Sequence, residues 1–207
     1  TRAGDINNDN LTSIGVFASL THGNFDATVS TPNFMYNQLV EKKNGTWQYT
    51  PLKYWPNNDS DKISFFAYAP HNTTGVTPSN AIQKGYPSFT YTTPTAEADQ
   101  VDLLAATPII NQNGGSVDFK MQHALTKVVF NVKSNDDITG KVITAFSITG
   151  AKSGTLAFHV PANDDDKGFG WTYPSTVTAE TFTATTKSLS VPDKSTPEEA
   201  MLCLSLI

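Results

Sequence analysis

The sequence predicts an all-β protein built as an antiparallel β-sandwich, or as two small sandwiches. Many short apolar runs are separated by turn residues at intervals of about 8–12 residues, which is typical of such folds. Thr, Ser, Asn and aromatic residues are abundant while 16% of the residues are charged, and this composition favours strands over helices. No long segment shows the period of about 3.6 residues that marks an amphipathic helix. With 207 residues, 38% of them hydrophobic, the chain is long enough to bury a core.

The N-terminal third of the chain contains the clearest hairpin. Residues 1–13 are polar and predict an irregular N-terminal segment. The Asn44-Gly45 pair is the preferred sequence of a two-residue hairpin turn. We predict one strand before the hairpin and one on each side of its turn, at residues 14–19, 34–40 and 46–50.

The central part of the chain contains the strongest strand signal. Residues 63–69 read Ile-Ser-Phe-Phe-Ala-Tyr-Ala. We expect this strand to end at Pro70, because proline cannot donate a hydrogen bond to a strand ladder. Residues 71–87 have no period and predict a loop, and residues 89–92 alternate as a short strand.

The remaining residues contain further strand candidates and one ambiguous stretch. A helical turn within 96–104 and a strand at 101–106 fit the sequence equally well, and both stay open. Turns are predicted at 111–115 and in the polar loop 161–170. The strand candidates are residues 117–121, 125–132, 142–148, 154–160, 181–185, 188–191 and 201–207.

Charge and composition argue against several classes of protein. The net charge of −5 argues against a nucleic-acid-binding protein, which would show a basic patch. No apolar run approaches the ~20 residues that span a bilayer. The single Cys203 excludes an internal disulfide framework and lies in an apolar run, where a buried thiol is expected. The motifs of nucleotide-binding loops, nucleophile elbows and zinc proteases are all absent, so we predict a protein that is not an enzyme and needs no cofactor.

Two features leave a binding role open. Asp164, Asp165 and Asp166 follow one another in a polar loop, where they form either a solvated turn or a calcium site. The three tryptophans either anchor the core or stack against sugar rings, as in an extracellular carbohydrate-binding β-sandwich. These are Trp47, Trp55 and Trp171.

A series of motifs in a fixed order resembles a known family. Ile14-Gly-Val-Phe is followed by Trp55-Pro, by the strand at 63–70 that ends Phe-Phe-Ala-Tyr-Ala-Pro, and by Val101-Asp-Leu-Leu-Ala. The segment 119–132 then contains His123-Ala-Leu-Thr-Lys127. The ordered set is similar to the fimbrillin-like (Mfa-like) proteins of the Bacteroidetes, exported lipoproteins that include subunits of type V pili.

This resemblance implies a fold and a domain division. It implies two tandem transthyretin-like antiparallel β-sandwich domains, with the second one short or incomplete. The first would span residues 1–115 and the second residues 116–207.

The resemblance also implies a non-enzymatic role at the cell surface. The precursor would reach the outer membrane through a lipidated leader that is later removed, and a protease would cut between Arg2 and Ala3. The subunit would then assemble with other pilus subunits by donor-strand exchange, and a host surface protein or glycan would be a further partner. The candidate donor strand consists of Met201, Leu202, Leu204, Leu206 and Ile207, although an ordinary core strand of the second domain explains these residues as well.

Overall fold

A computed structural model describes residues 5–129, 142–190 and 203–206 of the chain. Within these ranges the structure is all-β with antiparallel sheets, and its helical content is a single 3₁₀ turn at Glu97–Asp99. The strands are β1 (Ser13–His22), β2 (Met35–Lys43), β3 (Thr46–Gln48), β4 (Asp61–Ala69), β5 (Val76–Pro78), β6 (Ser88–Thr92), β7 (Leu104–Ala106), β8 (Ile109–Gln112), β9 (Met121–His123), β10 (Thr126–Val129), β11 (Val142–Ala151), β12 (Ser153–Phe158), β13 (Phe169–Thr172), β14 (Ala179–Ser190) and β15 (Cys203–Leu206).

The larger sheet is built around β1 and β4. Its strand order is β3-β2-β1-β4-β7-β9. The edge of β4 that faces away from β1 pairs with two short strands, with β7 at Tyr68 and Ala69 and with β8 at Ile63 and Phe65. The predicted hairpin is confirmed, because Lys43 pairs with Thr46 across Asn44 and Gly45. Both turn residues have positive φ, at 51° and 79°, which is the geometry of a type I′ turn and explains the Asn-Gly sequence.

The smaller sheet combines segments that are far apart in sequence. Its strand order is β13-β12-β6-β5, with β6 pairing antiparallel to β12 from Ser88↔Ala157 to Thr92↔Ser153. Strands β5 and β6 precede residue 115, whereas β12 and β13 follow it. A domain boundary after residue 115 would therefore cut through this sheet.

An aromatic core fills the space between the two sheets. Phe66 and Tyr68 of β4 meet Phe89 and Phe158 of the smaller sheet, and all four side chains are buried. The ring centroids of Tyr68 and Phe89 lie 5.0 Å apart, and those of Phe66 and Phe158 lie 5.6 Å apart. These separations suit favourable edge and offset ring contacts.

The remaining strands form two narrow ribbons. β11 pairs with β14, and β10 pairs with β15. Phe182 and Ala184 of β14 are buried in a small apolar cluster, against which Val128, Phe146 and Ile148 pack. In the described residues this cluster is much smaller than the core between the two sheets.

Most predicted strands are present, and several differ in extent. Both alternatives for residues 96–106 occur, since the 3₁₀ turn precedes β7. The prediction of a continuous loop at 71–87 is wrong, because β5 lies within it and pairs with β6. The strand predicted at 117–121 is also wrong, since pairing begins at Met121. Residues 181–185 and 188–190 belong to one strand, β14, and residues 130–132 and Val191 lie outside the described residues.

Candidate functional site

The larger sheet is apolar on both of its faces. Along β1, Ile14, Val16 and Ala18 are buried on the outer face, whereas Phe17 is buried in the core between the sheets. Strand β4 is also buried on both faces, because Phe65 lies in the outer apolar cluster and Phe66 in the core between the sheets. Since the smaller sheet covers only the inner face, the outer face needs another cover.

Irregular segments supply part of that cover and leave a groove open. Leu11 is buried in the outer apolar cluster, and Ile6, Trp55 and Phe119 pack against that cluster. Between these segments lies a groove of about 660 Å³, which we call the outer groove. Its floor is formed by side chains of β1, β2 and β4, namely Ile14, Val16, Met35, Val40, Ile63 and Phe65.

Aromatic side chains form one wall of the outer groove. Trp47 lies on β3, and the rings of Tyr49, Tyr54 and Trp55 lie on the loop that follows β3. The ring of Trp55 meets that of Phe65 edge-on at 5.8 Å, which fixes it against the floor. Trp47 and Tyr54 remain 41% and 79% exposed, so their rings are accessible to a ligand. The opposite wall consists of Val117, Phe119 and Met121.

The charges at the groove are few and lie among its lining residues. Lys42 and Lys53 contribute positive charge, and Asp118 contributes one negative charge. The ammonium group of Lys53 lies 5.5 Å from the centroid of the Phe34 ring, within the range of a cation–π contact. The groove is therefore mainly apolar, and Asp118 is the one acid among its described lining residues.

Of the three tryptophans considered for sugar stacking, the structure brings two together. Trp47 and Trp55 both line the outer groove. Trp171 lies elsewhere, because it packs edge-on against Phe89 and its Nε1 donates to the carbonyl of Ala124 at 2.7 Å. A core-anchoring role thus describes Trp171, whereas Trp47 is exposed at the outer groove.

The predicted processing site lies next to the described residues. Arg2 and Ala3 themselves lie outside them. Asp5 and Ile6 follow, and the Ile6 N–H donates to Oδ2 of the buried Asp102 at 2.7 Å. The Asp5 carboxylate pairs with the ammonium of Lys127 at 2.8 Å. The N-terminal segment is therefore attached to the residues just before β7 and to β10, and its residues Asn8 and Leu11 line the outer groove.

The candidate donor strand is paired within its own chain. Leu204 pairs with Val128 and Leu206 with Thr126 in the β10–β15 ribbon. Met201, Leu202 and Ile207 lie outside the described residues. A two-stranded ribbon is marginally stable by itself.

In the loop where calcium binding was left open, side-chain oxygens accept hydrogen bonds from the loop itself and from His159. Asp166 accepts hydrogen bonds from the N–H groups of Ala162 and Gly168 and from the His159 ring. The two backbone donors, followed by His159, lower the pKa of Asp166 to about 2. Asn163 Oδ1 accepts the N–H groups of Asp165 and Asp166. Across the described part of the chain, no three His, Cys, Asp or Glu residues are grouped to hold a metal ion.

The histidines occupy separate positions in the described residues. His22 pairs with Asp61, His123 with Asp102 and His159 with Asp166, each at 2.8–2.9 Å. His71 contacts the carbonyl of Asn37 through Nε2 at 3.0 Å.

Within the ranges that the structure covers, no helix has the length and apolar character needed to cross a membrane.

Sequence reasoning missed the outer groove and the role of Asp102. A signal for the groove was present, since 63–69 is almost continuously apolar and therefore predicts a strand buried on both faces. No local signal identifies Asp102 as the acceptor for Ile6, which lies 96 residues away along the chain.

Known proteins share both the sequence and the fold of this chain. The fimbrium subunit Fim1C of Phocaeicola vulgatus is 35% identical over 156 residues, which cover 67% of this chain. The chain matches 41% of the length of that curated relative. The crystal structure of a fimbrial protein from Bacteroides vulgatus matches with a TM-score of 0.69 at 25% identity, covering 94% of this chain and 70% of that one.

A model of fimbrillin-like proteins matches residues 1–205, which is nearly the whole chain. This match bears out the resemblance carried by the ordered motifs from Ile14 to the segment around His123. The chain therefore belongs to the fimbrillin-like family.

Proposed function

We propose that this chain is a non-enzymatic fimbrial subunit or accessory component that accepts a strand from another subunit in its outer groove. The observation that carries the proposal is that β1 and β4 are buried on both faces while the outer face is incompletely covered. An extended apolar segment would complete this cover. The relatives named above are fimbrial proteins, which supports assembly with other subunits and a location at the cell surface.

The chemistry of the groove suits a peptide strand with alternating apolar side chains. In β-augmentation, backbone hydrogen bonds provide affinity, while pockets for alternate side chains provide specificity. The floor residues Val16, Ile63 and Phe65 are apolar, so they would receive such side chains. Each Leu or Ile buried there would contribute roughly 1.5–3 kcal/mol. Several buried side chains would make the assembly long-lived.

The donor in this proposal is the 201–207 segment of a second copy or a related subunit. In its own chain, part of this segment occupies the narrow β10–β15 ribbon. Exchange would replace that marginal pairing by burial in the groove. Cleavage between Arg2 and Ala3 would precede exchange by removing the residues upstream of the groove, including a lipidated leader that carries the precursor to the outer membrane.

A protease experiment tests this proposal. A precursor with additional residues upstream of Thr1 is treated with a trypsin-like protease, and products are examined on detergent gels without boiling. We expect ladders of oligomers to appear after cleavage at Arg2. In the variant Val40→Trp, the indole would fill the groove and ladders should be lost.

The matched control is Val160→Trp, at a 50% exposed position that does not line the groove. This variant should form ladders as the native chain does. Ladders of equal strength from Val40→Trp and the native chain would contradict the groove as the acceptor.

A carbohydrate-binding role is the second candidate, and the exposed rings of Trp47 and Tyr54 favour it. Aromatic faces next to polar groups are suited to stacking against sugars, and a host glycan would be the ligand. On a glycan array, Trp47→Ala should abolish any binding while Trp171→Phe retains it, because Trp171 lies outside the groove. Binding that Trp47→Ala leaves unchanged would contradict this role.

A further inference from the structure

The first residues that the structure describes are held by two charged contacts, one to Asp102 just before β7 and one to Lys127 on β10. The Ile6 N–H donates to Asp102 Oδ2 at 2.7 Å, and Lys127 Nζ donates to Asp5 Oδ2 at 2.8 Å. Asp102 is 4% exposed, and its other oxygen, Oδ1, lies 2.9 Å from His123 Nδ1. We call Asp102, His123 and Lys127 the N-terminal latch.

The residues around the latch are hydrogen-bonded to both sheets. The Ala124 N–H donates to the carbonyl of Leu103 at 2.8 Å, and the Ala124 carbonyl accepts Trp171 Nε1 at 2.7 Å. His123 itself belongs to β9, which pairs with Leu104 of β7. The latch residues are thus connected to both sheets, and the N-terminal segment is connected to the latch.

The two contacts differ in strength. Asp5 and Lys127 are 52% and 40% exposed, so solvent screens their ion pair and its contribution is small. The Asp102 contact is different, because a buried carboxylate makes a charge-assisted hydrogen bond to a backbone N–H. Removal of that charge would leave the Ile6 N–H without its strongest acceptor. Asp102 is therefore the main element of the latch, and His123 orients its carboxylate.

The latched residues lie so close to the predicted cleavage site that their attachment would affect cleavage. Asp5 and Ile6 are the third and fourth residues after the Arg2–Ala3 bond. A protease must bind several residues on each side of the bond that it cuts, so a latched Asp5–Ile6 must open before cleavage. Where opening is fast, the cleavage rate follows the population of the open form.

We propose that Asp102, His123 and Lys127 are positioning residues, which hold the segment after the Arg2–Ala3 bond against the folded chain and so limit the rate of cleavage there. The role in cleavage rests on the proposed processing, whereas the latch itself does not. After cleavage, the same contacts keep Ile6 and Leu11 on the outer apolar cluster, so that the N-terminal segment stays in place beside the groove.

Amide hydrogen exchange tests the latch in the intact chain. In Asp102→Asn, the Ile6 amide should exchange roughly tenfold faster, as expected for the loss of a hydrogen bond to a charged acceptor. His123→Ala and Lys127→Ala should show smaller increases, and Lys127→Arg should restore native exchange. The thermal midpoint is measured in parallel for every variant, so that local opening at Ile6 is distinguished from a general loss of stability.

The chain offers matched controls for the two exposed contacts. Lys152 pairs with Glu180 at 2.7 Å and His159 pairs with Asp166 at 2.8 Å, both away from the N-terminal segment. Lys152→Ala and His159→Ala should leave exchange at Ile6 unchanged. Native exchange at Ile6 in Asp102→Asn would overturn the latch. If that variant does not fold, native exchange in both His123→Ala and Lys127→Ala overturns it.

Limited digestion with a trypsin-like protease tests the role in cleavage. Mass spectrometry follows the loss of residues 1–2. The next Lys or Arg is Lys42, so the product of cleavage after Arg2 is easily told from the product of cleavage after Lys42. Cleavage after Arg2 should be faster in Asp102→Asn than in the native chain or the controls. Equal rates despite faster Ile6 exchange would show that the latch is purely structural. No cleavage after Arg2 in any variant would contradict the proposed processing, while the exchange result would still decide the latch.

Discussion

Val16 and Phe17 are neighbours in β1, and both are almost fully buried, each in a different apolar cluster on opposite faces of one sheet. Successive side chains of a strand point to opposite faces, so a strand with one solvent-facing side would expose one of the two. Here the inner face packs on the second sheet, and the outer face forms the floor of the groove. The proposed strand exchange depends on this arrangement.

The close contact between Gly15 and Tyr68 gives a first prediction. A Cβ at residue 15 would collide with the Tyr68 ring, which is fully buried in the aromatic core. Gly15→Ala should therefore lower the free energy of unfolding by about 1–3 kcal/mol, as overpacking of a core does. Denaturation in urea measures the change.

Gly114→Ala is the control for this substitution. Nothing lies within 4 Å of a Cβ at residue 114, so the midpoint of unfolding should stay close to native. Equal midpoints for the two variants would mean that the Gly15–Tyr68 contact does not limit packing.

The buried tyrosine hydroxyls make a second prediction, because their surroundings differ. Among the described residues, the hydroxyl of Tyr91 has no hydrogen-bond partner, and its burial raises its pKa to about 12. Tyr91→Phe should leave stability unchanged or raise it, because an unsatisfied buried hydroxyl costs free energy.

Tyr68→Phe is the matched variant and should have the opposite effect. The Tyr68 hydroxyl donates to Asn37 Oδ1 at 2.8 Å and accepts the Asn72 N–H at 3.2 Å. Its loss should cost about 1 kcal/mol in the free energy of unfolding. A larger loss from Tyr91→Phe than from Tyr68→Phe would contradict these assignments.

Asp166 gives a third prediction, on pH dependence. Its pKa is lowered from 3.8 to about 2 by the N–H groups of Ala162 and Gly168 and then by His159. A lowered pKa favours the ionised carboxylate in the folded state, so its stabilising effect is present above pH 4 or so. The effect should be lost as the pH falls from about 4 to about 2.

An NMR titration of the Asp166 carboxyl carbon measures this pKa. In His159→Ala the pKa should rise only part of the way to its ordinary value, because both backbone donors remain. A full return to the ordinary value in His159→Ala would show that the imidazole, and not the backbone, holds the carboxylate.

Local patterns in the sequence account for much of the larger sheet. The hairpin was predictable because Asn44 and Gly45 adopt the positive φ that its turn requires. The end of β4 at Ala69 was predictable because Pro70 follows it. In both cases residues close in sequence determine the structure.

Features that depend on distant segments were not predictable in this way. β5 lacks an alternating pattern and is a strand because its backbone pairs with β6. The pairing of β6 with β12 joins residues on both sides of position 115, where the family resemblance implied a division. The outer groove likewise requires β1, β4 and the segment 115–121 to meet. The apolar stretch 63–69 signals a strand buried on both faces, but it does not show which segments cover its outer face.

The most direct test of the central claim mixes two complementary variants after treatment with the protease. Val40→Trp would block the groove but keep the donor strand, and a chain carrying Leu204→Asp and Leu206→Asp would keep the groove but lose the donor. Neither variant alone should form oligomers on a detergent gel, and their mixture should form a dimer without larger species. Oligomers from either variant alone, or no dimer from the mixture, would contradict strand exchange through the outer groove.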